Sequence, residues 1–148
     1  MIYTEMTNKA LKICFDAHKD QVDKSGLPYV FHPFHLAEQM ETEETVTVAL
    51  LHDVVEDSSY TLEALEQEGF PPKILEAVHL MTHQDGVPYM EYVQALAQNP
   101  IARKVKLADL THNSDPSRLA VVDEFAKKRM ERYSEAMAYL KALEHNQQ

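Results

Sequence analysis

Apolar residues recur along almost the whole chain at helical spacing, and no stretch alternates between apolar and polar positions as a strand would. The first such segment, 5–18, places Ala10, Leu11, Cys14 and Phe15 at this spacing. The same reasoning predicts further helices at 33–41, 43–57, 62–68, 72–82, 88–98, 100–112 and 120–144. The last of these places Phe125, Met130, Tyr133, Met137 and Leu140 at core spacing. With only three glycines and no internal repeat, the pattern predicts an all-α fold, a single compact helical bundle over residues 1–148.

Several predicted helices begin at residues that suit helix starts. Thr42, Thr61 and Asn99 stand at N-cap positions, and Pro100 follows Asn99 at the first helical position. Residues 29–32 precede Pro33, and a residue before proline is biased away from helical angles. We therefore expect 29–32 to be extended, with His32 at the entrance of the helix 33–41.

The segment 43–57 is apolar almost all round, which is typical of a central buried helix. It ends in His52-Asp53-Val54-Val55-Glu56-Asp57, and on a regular helix residues three or four apart are neighbours. Burying adjacent carboxylates without a cation costs several kcal/mol. A bound metal would remove this cost, whereas the alternative is that Glu56 and Asp57 lie at a solvated helix end.

A second carboxylate falls on the inward face of another helix. In 100–112, Ile101, Val105 and Ala108 mark the apolar stripe, and Asp109 comes four residues after Val105. An inward carboxylate needs a partner. That partner is a metal in one interpretation, and Arg103 or Lys106 in the other.

Together, His32, His52, Asp53 and Asp109 would form a mixed nitrogen and oxygen site, although His32 could also be a structural cap. Without a thiolate, such a site suits Mn²⁺, Fe²⁺, Co²⁺ or Zn²⁺ and leaves room for water.

Other polar residues have two interpretations each. His112 falls three residues after Asp109, and is either a functional group or a hydrogen-bonded neighbour of the site. His79 and His83, four apart, could hold a second metal or be an exposed pair. Lys104, Lys106 and Arg118 either face an anionic substrate or belong to a solvated surface.

Composition and charge argue against several classes of protein. The net charge of −10, from 24 acidic and 14 basic side chains, argues against a general nucleic-acid binder. The single cysteine, Cys14, is predicted to be buried. With no apolar run of about 18 residues and no signal-peptide pattern at the N-terminus, we expect a cytoplasmic protein without a membrane segment.

Three motifs between His18 and Asn113 resemble the HD superfamily of metal-dependent phosphohydrolases. More narrowly, they are similar to the (p)ppGpp hydrolase domain of RelA/SpoT-type enzymes and their small stand-alone homologues. The motifs are His18, Gln21, Asp23-Lys24, Gly26, Pro28-Tyr29 and His32-Pro33; the unbroken run Ala49 to Asp57; and Lys106-Leu107-Ala108-Asp109 followed by Asn113.

The resemblance implies a role for each matching residue. His32, His52, Asp53 and Asp109 would bind one divalent metal, typically Mn²⁺. Glu56 and Asp57 would position or activate the attacking water, and Lys24 and Asn113 would contact the substrate. The reaction implied is removal of pyrophosphate from the 3′ position of a guanosine nucleotide, without a synthetase activity.

The implied partner is a small-molecule nucleotide, with no nucleic acid and no membrane, and a homo-oligomer is left open. Two positions depart from the family pattern: Asp23 replaces an arginine that packs on the base, and Leu110 replaces an arginine after the third motif. A nucleotidase or phosphodiesterase acting on another nucleotide is therefore a second hypothesis, and a non-catalytic alarmone-binding regulatory module is a third.

Overall fold

A short, fully buried helix, α3, lies at the centre of the fold. The computed structural model describes residues 1–118 and 122–146. In α3 (Glu43–Leu51), every residue from Thr45 to Leu51 is buried. The central buried helix that the apolar pattern predicts is therefore confirmed.

The other elements of the described chain are helical as well, apart from an isolated bridge between Val22 and Pro28. They are α1 (Glu5–His18), α2 (Phe31–Glu38), α4 (Val54–Asp57), α5 (Leu62–Gln67), α6 (Pro72–Met81), α7 (Tyr89–Leu96), α8 (Pro100–Asn113), a 3₁₀ turn (Pro116–Arg118) and α9 (Glu124–Asn146). The prediction of an all-α fold is confirmed.

Among the described helices, α1, α2, α6 and α8 pack against α3, as the short α4 that follows it also does, and α9 packs on α8. An ion pair joins the last two, because Nε of the buried Arg103 lies 2.5 Å from Oε1 of the partly exposed Glu144. Arg103 also donates to the Ala97 carbonyl. Near the N-terminal end of α8, Arg103 therefore pairs with Glu144 and not with Asp109.

The predicted caps explain where these helices begin. The hydroxyl of Thr42 accepts from the Thr45 amide, the hydroxyl of Thr61 from the Ala64 amide, and Asn99 Oδ1 from the Ile101 amide. Each cap satisfies an amide that has no partner inside its own helix.

The predicted helix 43–57 is interrupted in the structure, and this prediction was wrong. α3 ends at Leu51, and α4 begins at Val54 after Asp53 adopts φ −106° and ψ 0°. The break separates a buried helix from a one-turn helix in which Val54 is buried and the two carboxylates are exposed. Glu56 and Asp57 therefore lie on the exposed side of the break.

The stretch before Pro33 is also not extended as predicted. The amide of His32 donates to the Tyr29 carbonyl, and α2 already begins at Phe31. A proline in the first turn removes no helical hydrogen bond. The packing of α2 on α3 buries His32, Leu36 and Ala37, and this burial outweighs the local bias against helical angles.

The last helix begins later than predicted. α9 starts at Glu124, and residues 120 and 121 lie outside the described part of the chain. Phe125 is 75% exposed and Phe15 is 60% exposed, so neither joins the core as the spacing suggested, whereas Leu140 is fully buried. Among the described residues, no helix is long and apolar enough to cross a membrane.

Cys14 is buried, as predicted, and only 1% of it is exposed. Burial, with the nearby Asp53 carboxylate, raises the pKa of this thiol to about 12. At pH 8 roughly one such thiol in ten thousand is ionised. Because the thiolate is the reactive form, we expect the native protein to resist a thiol reagent and the urea-unfolded protein to react with one equivalent.

With dithionitrobenzoate as the thiol reagent, the absorbance of the released thionitrobenzoate measures this reaction. Fast reaction of the native protein at pH 8 would mean that the packing of α1 against α3 is looser than described.

Candidate functional site

Two imidazoles and one carboxylate meet in the interior where α2, α3 and α8 converge. His32, His52 and Asp109 are all buried, and each offers one ligand atom within 4.8 Å of the other two. His32 Nε2 lies 2.8 Å from Asp109 Oδ1, and His52 Nε2 lies 3.5 Å from the same oxygen. The structure thus brings together three of the four residues predicted as ligands from three separate helices.

The fourth, Asp53, stands beside this group at the break after α3. Its Oδ2 lies 3.0 Å from His52 Nε2 and accepts a hydrogen bond from the Tyr29 hydroxyl. Burial and Asp53 raise the pKa of Tyr29, so the phenol keeps its proton and remains a donor. Burial opposes ionisation of Asp53, but the His52 ring outweighs it and lowers the pKa of Asp53 to about 2.

His52 has a buried nitrogen that faces these carboxylates. Its Nδ1 lies 2.6 Å from the Ala49 carbonyl, which can only accept, so Nδ1 carries a proton. Within the described residues, Nε2 has no hydrogen-bond partner of acceptable geometry. In the neutral ring, Nε2 would turn a lone pair toward two carboxylates, which is unfavourable unless a cation lies between them.

Burial alone would lower the pKa of His52, but Asp53 and Asp109 hold that pKa well above its usual value. A proton is thus one way to supply the positive charge, and a divalent metal is another. The donor set of imidazole nitrogens and carboxylate oxygens fits such an ion.

Asp109 is held by donors on both of its oxygens. Oδ1 accepts from Asn113 Nδ2 at 3.0 Å and faces both imidazoles, while Oδ2 lies 3.0 Å from the ammonium of Lys106. Burial would raise the pKa of Asp109, but Lys106 and the two histidines hold it well below its usual value. Both interpretations of Asp109 thus have support, because this carboxylate pairs with Lys106 and also belongs to the buried cluster.

His112 supports His32 from the side away from Asp109. Their Nδ1 atoms lie 2.7 Å apart, and their rings are nearly parallel, with an interplanar angle of 3°. Burial and then Arg118 lower the pKa of His112 to about 4, so this ring is neutral and can accept a hydrogen bond from His32 Nδ1. His112 is therefore a hydrogen-bonded neighbour of the cluster.

Glu56 and Asp57 are exposed and line a cleft that Asp53 and Asp109 of the site also line. Partial burial raises the pKa of both, and the Asp53 carboxylate raises each one further. The Gln21 amide fixes the end of α4 by donating to the Asp57 carbonyl at 2.7 Å, and Gln21 Oε1 meets the buried His18 ring. These carboxylates can accept a proton from water at the mouth of the site.

The cleft has a volume of about 360 Å³, and its far wall carries aromatic rings and cations. Lys106 lies over the rings of Tyr92 and Tyr89, and Arg132 of α9 lies over Tyr89. Sequence reasoning missed this wall, because the tyrosines of α7 follow the same apolar spacing as core residues. Lys104, two residues before Lys106, is exposed.

His79 and His83 do not form a second metal cluster within the described residues. His83 Nε2 lies 2.7 Å from the Val87 carbonyl, and the ring stacks on Tyr92 at 4.6 Å. His79 is exposed on α6. His83 thus closes the 84–87 turn and lines the cleft, while His79 faces solvent.

A second cavity of about 310 Å³ adjoins the cleft, and the two share Tyr29, Asn113 and Tyr133. Lys24 and Asp23 line this second cavity. Leu110, the other position that departs from the family pattern, is fully buried in the hydrophobic core. Of the two departures, only Asp23 therefore faces a cavity.

The chain has relatives among known proteins in sequence and in fold. No family model matches the chain. It is 32% identical over 139 residues to a probable GTP pyrophosphokinase of Mycobacterium leprae, covering 85% of this chain and 18% of that protein. It is 35% identical over 122 residues to the bifunctional (p)ppGpp synthase/hydrolase SpoT of Escherichia coli K12, covering 71% and 17%.

The fold matches a solved structure reported as a metazoan ortholog of SpoT that hydrolyses ppGpp, with a TM-score of 0.72 and 20% identity over 99% of this chain and 98% of that one. The chain is an HD-type domain of the RelA/SpoT kind. This HD-type domain spans less than a fifth of the length of the two curated relatives just named.

Lys106 supplies the buried positive charge next to Asp109, and this contact can be tested without any ligand. We expect Lys106→Met to lower the free energy of unfolding by about 3 kcal/mol in chelator, because it leaves a buried carboxylate without its ammonium partner. Urea denaturation followed by circular dichroism measures this loss. Lys104→Met, an exposed change on the same helix, is the control, and equal stability of the two variants would contradict the described pairing.

Proposed function

We propose that this protein is a divalent-metal-dependent phosphohydrolase, and most specifically a guanosine-3′,5′-bis(diphosphate) 3′-pyrophosphohydrolase. The observation that carries the proposal is the buried group of His32, His52 and Asp109. Its Asp109 lines a cleft together with the carboxylates of Glu56 and Asp57. The names of the curated relatives, among them a guanosine-3′,5′-bis(diphosphate) 3′-pyrophosphohydrolase of Haemophilus influenzae, support the substrate.

His32, His52, Asp53 and Asp109 would hold one metal ion, and Mn²⁺ is the ion that the family resemblance favours. The unpartnered Nε2 of His52 and the low pKa of the Asp53 and Asp109 carboxyls support this set, because metal ligands must be deprotonated. When bound, such an ion lowers the pKa of a water ligand and polarises a phosphoryl oxygen.

Glu56 and Asp57 would orient the attacking water and accept its proton. Their raised pKa values bring them closer to neutral pH than ordinary carboxyls, and this suits a group that takes up and returns a proton. The one-turn helix α4 carries both side chains, and Gln21 ties the end of that helix to α1.

Cations around the cleft would offset the charge of the substrate. Lys106 and Arg132 line the cleft, and Lys24 lines the adjoining cavity with Asn113. For a chain of net charge −10, this local group of cations is what lets a polyanion approach. Lys106 and Arg132 would stabilise the leaving pyrophosphate, and Lys24 and Asn113 would contact the nucleoside.

The same proposal covers the extent of the domain, the class of substrate and the location of the protein in the cell. Residues 1–148 would act as one catalytic domain on a small-molecule nucleotide in the cytoplasm.

The decisive experiment is hydrolysis of guanosine tetraphosphate by the purified protein in Mn²⁺, with release of pyrophosphate followed by chromatography. We expect turnover with Mn²⁺ and none in chelator. Asp53→Ala should abolish turnover with the helical content unchanged, because it removes a ligand from a site formed by the surrounding helices. Full activity of Asp53→Ala would mean that the site is wrongly assigned.

These two carboxylates of the cleft have a separate test. Glu56→Gln and Asp57→Asn should each lower kcat by about 10²- to 10⁴-fold, the usual size of an acid–base contribution. Both should still bind Mn²⁺ in a calorimetric titration, because neither is a proposed ligand. Glu66→Gln, an exposed change on α5, is the control, and loss of Mn²⁺ binding in the Glu56 and Asp57 variants would reassign these residues as ligands.

A second candidate function rests on Asp23, the cavity residue that departs from the family pattern. It is hydrolysis of a different nucleotide by the same metal site. A panel of nucleoside mono-, di- and polyphosphates, assayed with Mn²⁺, separates the two. A kcat/KM at least ten-fold higher for a nucleotide without a 3′-pyrophosphate would favour this candidate, and tight binding without product would favour a regulatory module.

A further inference from the structure

Arg118 has two interpretations from the sequence, a substrate contact or part of a solvated surface, and in the structure it lines the adjoining cavity. Arg118 comes from the 3₁₀ turn Pro116–Arg118, and it lines the cavity together with Asp23, Lys24 and Arg129. The cavity adjoins the cleft, because Tyr29, Asn113 and Tyr133 line both. A ligand whose phosphate reaches the His and Asp cluster can therefore extend its other end to Arg118.

Hydrogen bonds and an ion pair hold the guanidinium of Arg118 through its terminal nitrogens. Nη1 donates to the His112 carbonyl and to Asn113 Oδ1, both at 3.0 Å, and Nη2 lies 3.8 Å from Asp23 Oδ2. The backbone carbonyl of Arg118 also accepts from the Ser25 hydroxyl at 2.6 Å. Since Nη1 is hydrogen-bonded and Nη2 faces a carboxylate, a ligand in the cavity would meet the guanidinium on a flat face.

Asp23 is arranged to hold Arg118 rather than to meet a ligand with a free charge. Its Oδ1 accepts from the amides of Ser25 and Leu27, at 2.9 and 3.0 Å, which fixes the loop and the carboxylate within it. Its other oxygen faces Arg118. Asp23 thus anchors the planar guanidinium of Arg118, which comes from the 3₁₀ turn.

The rest of the cavity wall suits a flat, uncharged ring. Val22, Ala126, Met130 and Tyr133 contribute apolar and aromatic surface. A guanidinium plane stacks on heteroaromatic rings, which a lysine ammonium cannot do. Base stacking on a protein surface tolerates several bases and contributes strongly to nucleotide affinity.

We propose that Arg118, anchored by Asp23, is the stacking surface for the nucleobase and a determinant of substrate specificity. This inference rests on the proposed function, since it assigns the base end of a nucleotide whose phosphate end lies at the cluster. The same residue reaches that cluster through a chain of hydrogen bonds, because Arg118 donates to Asn113 and Asn113 donates to Asp109.

The test compares two ligands that differ only in the base, guanosine 5′-phosphate and ribose 5-phosphate. Their affinities are measured by calorimetry on the full chain in Mn²⁺. We expect Arg118→Lys to weaken guanosine 5′-phosphate about ten-fold, in line with the loss of one stacking contact, and to change ribose 5-phosphate less than two-fold. Asp23→Asn should weaken only guanosine 5′-phosphate, by a smaller factor.

Arg129→Lys is the matched control, because it makes the same substitution in the same cavity at a residue given no stacking role. It should change both affinities less than two-fold. Equal weakening of both ligands by Arg118→Lys would mean that Arg118 acts only as a charge, and unchanged affinities would remove its role. Wild-type affinities that do not depend on the base, or no binding of either ligand, would also overturn the inference.

Hydrolysis of guanosine tetraphosphate by the same samples separates this inference from the proposed function. Hydrolysis with unaltered base affinity in Arg118→Lys would overturn only the stacking role. Base-dependent binding through Arg118 without hydrolysis would support the stacking role and overturn the proposed reaction.

Discussion

The buried carboxylate of Asp109 is the constraint on which the rest of the site depends. A carboxylate in the interior is stable only if donors or cations surround it. Here an ammonium, an amide and two imidazoles do so, contributed by α2, α3 and α8. The helices that supply these groups pack on one another. The same contacts that keep the charge buried therefore also position the residues that face the cleft.

The break at His52 and Asp53 serves the same constraint. On an unbroken helix, neighbouring residues point about 100° apart, so adjacent side chains would diverge from a common centre. At the break the two side chains nonetheless meet, with Asp53 Oδ2 3.0 Å from His52 Nε2, and Glu56 and Asp57 follow it in exposed positions. The run of apolar and charged residues that resembles one helix in sequence thus divides into a buried part and an exposed part.

Helical spacing and capping residues were enough to predict the all-α fold, the central helix and most helix starts. Asp109 could be predicted to point inward because an apolar stripe places it there. The break at Asp53 could not be predicted, since the local propensities of Val54 and Val55 do not oppose a continuing helix strongly enough to reveal it. Phe125 shows the opposite error, because its spacing fits the core while its position at the start of α9 leaves it in solvent.

Along α8, every third or fourth residue carries a side chain that contacts a group outside the helix. Arg103 pairs with Glu144, Lys106 lies over the Tyr92 ring, Asp109 meets His32, and Asn113 accepts from Arg118. Each residue of a helix adds about 100° of rotation. A one-residue insertion or deletion early in α8 would therefore turn the following side chains away from their partners together. Divergence within this helix can proceed by substitution, but its length between Pro100 and Asn113 is not free to vary.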